Sequence, residues 1–96
     1  MLSYEMELFN LRKDINDIDN KLMELLISRL EVVEKVGELK KKHNMEVLDK
    51  KRENAIFKKI ESLYGKESDE TKFLTQVYDK VMEESKKKQE NLIKSG

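Results

Sequence analysis

Three arginines stand among 17 lysines in this 96-residue chain: Arg12, Arg29 and Arg52. Lys is the default cation, so each Arg marks a place where a planar fork of donors has a use that an ammonium fills poorly. Bidentate binding of a carboxylate is that use. Chance placement of three residues is the competing reading. Arg29 and Lys40 lie eleven residues apart. On a helix that is about three turns, so they fall within roughly 20° of each other and ~16 Å apart along the axis. Two long side chains can close on one small anion across that gap. Near the other end of the chain, Ser85 and Gln89 offer a hydroxyl and a neutral amide that donates a hydrogen bond without first being protonated. With no Cys and a single His, His43, there is no thiolate, disulfide or histidine-rich metal set, which argues against metal catalysis and leaves a set of cations and neutral hydrogen-bonding groups.

These groups need elements to hold them. Leu8, Leu11, Ile15, Ile18, Leu22, Leu25, Val32, Val36 and Leu39 keep a 3-4-3-4 spacing with only Arg29 out of character, and no Pro interrupts them. The pattern predicts one helix from about residue 4 to 43 with a coiled-coil seam. At ~1.5 Å per residue it would be roughly 58 Å long, far beyond a globule of this size with a radius of gyration of about 12 Å. It needs a partner helix. Arg29 occupies an a position of the seam, where an unpaired buried cation costs several kcal/mol. It must meet either a Glu of a facing helix or an anionic ligand. Arg12 sits ~25 Å below Arg29 on the same helix, but in an antiparallel two-fold dimer the partner's Arg12 returns beside Arg29. Leu26 and Val33 at e positions widen the stripe midway. Gly37 costs ~1 kcal/mol relative to Ala inside a helix, and reads as a close helix approach or as a tolerated surface glycine.

Asn44, which tolerates left-handed backbone, closes this helix. Asp49 reads as an N-cap accepting from the backbone N–H near Arg52, and opens a second helix over about 50–64 with Ala55, Ile56, Ile60 and Leu63 inward. Gly65 ends it. Ser68, followed by Asp69 and Glu70, opens a third helix over about 69–93 with the stripe Leu74, Val77, Tyr78, Val81 and Met82. The same phase then brings Ser85 and Gln89 inward, where a buried amide must join a polar network or address a ligand.

Charged residues are 42% of the chain and cancel to zero net charge. Acids are interspersed with the lysines, so no basic face for nucleic acid emerges. The short run Lys86-Lys87-Lys88 reads as the solvated end of a terminal helix. No apolar run reaches the ~18 residues of a membrane span or has the setting of a signal peptide, which makes a cytoplasmic, single-domain protein over residues 1–96 the expectation.

Leu11-Arg12-Lys13-Asp14-Ile15, Ile18-Asp19, Lys21-Leu22, Leu25-Leu26, Ser28-Arg29, Val36-Gly37-Glu38-Leu39-Lys40, Asp49-Lys50-Lys51-Arg52-Glu53 and Ser85-Lys86-Lys87-Lys88-Gln89 together resemble the all-helical class of chorismate mutase. The resemblance spans essentially the whole chain. It rests on the ordered Arg, Arg, Lys, Asp-x-x-Arg-Glu and Ser-x-x-x-Gln, and is most generic in the third helix. Members often carry a Pro before the Asp, where this chain has Met45-Glu46-Val47. The resemblance implies an all-α fold of three helices per chain in an interlocked antiparallel homodimer, isomerising chorismate to prephenate in aromatic amino-acid biosynthesis without cofactor or metal. It further implies that the partner's Arg12 with Arg29, Arg52 and Ser85 holds the two substrate carboxylates. Glu53 and the backbone at Asp49 would hold the hydroxyl, and Lys40 and Gln89 would flank the ether oxygen. Isochorismate pyruvate-lyase on the same scaffold and a non-catalytic helical dimer are the alternatives.

Overall fold

A computed structural model of the chain describes residues 3–95. Among them there are three helices and no strand: α1 (Tyr4–Lys42), α2 (Lys50–Tyr64) and α3 (Asp69–Lys94). None is long and apolar enough to cross a membrane. The chain divides into two compact units, one ending at Val32 and the other starting at Val33.

The first unit is the leading part of α1, started by Ser3, whose hydroxyl accepts from the Met6 N–H at 3.2 Å. Its seam is uncovered. Leu11, Ile15, Ile18, Leu22 and Leu25 are all exposed, Leu25 by 67%. Full burial of each such side chain contributes about 1.5–3 kcal/mol, which the single chain forgoes.

The second unit holds the end of α1 with α2 and α3. Here α1 packs by the line Val33–Gly37, both buried, while the seam residues Val36 and Leu39 stay exposed. The expected inward face of α2 is turned by somewhat less than one position, while that of α3 holds except at Val77. In α2 Ala55 and Leu63 are exposed, and Glu53, Ile56, Phe57 and Ile60 turn inward, an i, i+3, i+4, i+7 set whose phase includes a carboxylate. In α3 Val77 is exposed, and the inward line runs through the buried Thr71, Met82 and Gln89 with Leu74, Tyr78 and Ser85 partly covered. Apolarity alone misplaced the α2 face because it contains Glu53, a polar residue that finds a partner in Lys86.

Local chemistry ends the helices where it should. After α1, Asn44 takes φ 55, Met45 N–H reaches the Lys40 carbonyl at 2.8 Å and Asn44 N–H the Lys41 carbonyl at 3.3 Å, the paired bonds of a Schellman cap. Gly65, at φ 96, closes α2 in a conformation that a side chain would strain. Ser68 Oγ caps α3 by accepting from Thr71 N–H at 3.1 Å, and the buried Thr71 hydroxyl donates to the Gly65 carbonyl.

Candidate active site

Lys40, from the last turn of α1, lies beside Gln89 of α3. Its ammonium donates to the Val47 carbonyl at 2.9 Å and to Gln89 Oε1 at 3.3 Å, tying the loop after α1 to α3. Gln89 Nε2 donates to the Val33 carbonyl at 3.3 Å. A lysine can only donate and a backbone carbonyl can only accept, so these two neighbours settle which end of the amide is oxygen. Gln89 is only 7% exposed, and the polar network foreseen as one of its two roles is present. That network leaves donors in hand. It uses two of the three ammonium hydrogens of Lys40 and one of the two amide hydrogens of Gln89.

Gly37 is what lets the two helices approach closely enough for this. A Cβ there would stand 3.1 Å from Gln89 Cγ and 3.2 Å from Leu92 Cδ1. For Gly37→Ala the helix-propensity gain of ~1 kcal/mol opposes an overpacking cost of about 1–3 kcal/mol. The expected result is a net loss on the order of 1 kcal/mol in denaturant unfolding with helix content retained. A variant more stable than the parent would show that Gln89 and Leu92 are not held by this contact.

The second cluster is built on the cap of α2. Asp49 Oδ1 accepts from the Arg52 N–H at 3.0 Å, and the Asp49 carbonyl accepts from the Glu53 N–H at 3.1 Å. One helical turn thus carries Asp49, Arg52 and Glu53, the Arg52 residue exposed and the Glu53 side chain turned in. Lys40 and Asp49 also line an open groove with Val36, Leu39, His43 and Leu48. Ser85, one turn before Gln89 on α3, donates to the Val81 carbonyl at 2.7 Å. Arg12 and Arg29 belong to the first unit, Arg12 exposed and Arg29 partly buried.

The run Lys86-Lys87-Lys88 departs from the solvated-end reading. Lys86 Nζ pairs with Glu53 Oε1 of α2 at 3.1 Å, and Lys88 Nζ with Glu34 of α1 at 3.3 Å, so two of the three lysines stitch α3 to the other helices. Only Lys87 keeps to its own helix, pairing with Glu83 at 3.3 Å and Glu84 at 3.5 Å. Its hydrogen bond to Glu83, helped by the Glu84 charge, raises its pKa, as the hydrogen bond from Lys80 lowers that of Glu84. Both groups are in open water, where such pairs contribute little. Lys86 was missed by sequence reasoning. The available signal was its phase, one residue after Ser85 and three before Gln89 on a face already assigned inward.

Residues 11–90 match the family described as chorismate mutase type II. Three curated relatives are each a "Bifunctional chorismate mutase/prephenate dehydratase". That of Buchnera aphidicola subsp. Schizaphis graminum is 31% identical over 87 residues, covering 91% of this chain and 23% of the relative. That of Buchnera aphidicola subsp. Acyrthosiphon pisum is 32% identical over 83 residues, covering 86% of this chain and 22% of the relative. That of Aquifex aeolicus is 41% identical over 54 residues, covering 56% and 15%. The chain spans less than a quarter of the length of these relatives. No solved structure matches it significantly.

Proposed function

The chain belongs to the chorismate mutase type II family, and from that premise we propose that it isomerises chorismate to prephenate as an antiparallel homodimer with two composite sites. The observation that carries the reading is the Lys40–Gln89 contact, two adjacent donors with hydrogens to spare, in a chain that matches the family over residues 11–90.

The reaction is a unimolecular [3,3] shift in which a C–O bond breaks as a C–C bond forms, and it requires neither nucleophile nor cofactor. What a protein adds is geometry and charge. Arg29, Arg52, Ser85 and the partner's Arg12 would clamp the two carboxylates and favour the compact diaxial conformer, whose reacting ends are already close. Glu53 and the Asp49 backbone would hold the hydroxyl. The remaining hydrogens of Lys40 and Gln89 would meet the ether oxygen, where negative charge grows in the transition state, and donors already oriented by Val47 and Val33 need not reorganise at that moment. The dimer is supported by the uncovered seam of α1, an apolar stripe whose coiled-coil spacing asks for a second helix.

The test is the disappearance of chorismate absorbance with purified protein, with products identified. Prephenate is expected, together with stabilisation of the fold by a dicarboxylate transition-state analogue. Pyruvate released from isochorismate, with chorismate untouched, would indicate the lyase. No turnover and no stabilisation would leave a helical dimerisation module.

A further inference from the structure

Glu53 raises a difficulty for any site that binds a dianion. A carboxylate intended for a hydroxyl stands where two substrate carboxylates must also fit, and like charges at such range repel strongly when partly shielded from water. The structure supplies a counter-charge. Lys86 Nζ lies 3.1 Å from Glu53 Oε1, with the two side chains 36% and 18% exposed, so the pair is sheltered more than the Lys87 pairs on the outer face of α3. Lys86 holds one carboxylate oxygen, which leaves Oε2 as the acceptor. The pair also bridges α2 to α3 between Ser85 and Gln89, the α3 residues assigned to substrate.

We propose that Lys86 is a positioning residue for the substrate hydroxyl: its ion pair cancels the Glu53 charge toward the incoming dianion and aims the free carboxylate oxygen at that hydroxyl. This rests on the mutase reading and deepens it, assigning a role to a lysine that neither the motif nor the cap chemistry uses. The role follows from this chain's own pairing. Lys88, two residues on, carries the same charge but spends it on Glu34, away from the α2 cap.

Steady-state kinetics with chorismate test it, on the full chain and with helix content and oligomeric size checked for each variant. Removing the aim of a charge-assisted hydrogen bond to substrate is expected to raise KM about tenfold in Lys86→Met, with kcat within about twofold, because the contact is made in ground and transition states alike. Lys86→Arg should restore most of the loss, and Lys88→Met should behave as the parent. In a Glu53→Gln background Lys86→Met should add less than about twofold, since the group it acts through is gone. If Lys86→Met does not fold, Lys86→Gln takes its place in the same comparisons. The proposal is overturned if the Lys86 variant keeps the parental KM, if kcat falls while KM holds, if Lys88→Met loses as much, or if the Lys86 effect is undiminished without Glu53. Absence of turnover by the unmodified protein would instead sink the mutase reading and this proposal with it. Turnover with no Lys86 effect sinks the proposal alone.

Discussion

Arg12→Ala and Arg29→Ala proteins, each nearly inactive alone, are expected to regain activity when mixed and allowed to exchange subunits. The two residues are 17 positions apart on α1, ~25 Å along the axis, and cannot reach one small molecule from the same chain. In the proposed dimer, antiparallel pairing about a two-fold axis would bring the partner's Arg12 to this chain's Arg29. Truncating one side of a desolvated charge pair costs about 2–5 kcal/mol, roughly 30-fold to several thousand-fold in transition-state binding, so each homodimer should be close to silent. In a mixed dimer one pocket carries both lesions and the other neither. Random exchange at equal concentrations makes half the dimers mixed, so about a quarter of parental activity should return. Proven exchange with no recovery would refute the composite site.

Gln89→Glu should be crippled at neutral pH, on the order of a hundredfold in kcat, and recover in part on acidification. The amide now donates to the Val33 carbonyl and accepts from Lys40. In the variant one carboxylate oxygen can keep Lys40, but the other faces a carbonyl that only accepts, and the side chain at position 89 has no hydrogen of its own for the ether oxygen. Protonation supplies one O–H, which can serve the ether oxygen if the Val33 carbonyl goes without its donor, so recovery is partial. The working form is therefore the protonated one: activity is present below the carboxyl's pKa in the variant and is lost as pH rises through it. Thermal melts at both pH values separate the two roles of the amide. If the variant keeps full activity at neutral pH, or stays equally impaired in acid while folded and dimeric, Gln89 does not address the ether oxygen and serves the α1–α3 network alone.

The parts of this protein set by neighbours within one turn were legible in its sequence. The three helices, the stop at Asn44, the Asp49 and Ser68 caps and the inward Gln89 all follow from side chains and backbone groups no more than about four residues apart, where residue type decides conformation directly. The 3-4 seam of α1 was legible for the same reason, and its exposure shows that the chain does not consume it internally. Tertiary structure alone decided what each face meets. Gly37 could be read as a blemish or as a contact until α3 was seen to bring Gln89 Cγ within 3.1 Å of where a Cβ would stand. The inward phase of α2 had to include Glu53, because a carboxylate is tolerated inside when a cation from another helix meets it, and that cation, Lys86, is 33 residues away. A lysine's long stem gives no sign in sequence of whether it ends in water or on an acid. The answer depends on which helix lies across from it, and that is settled only when the helices dock.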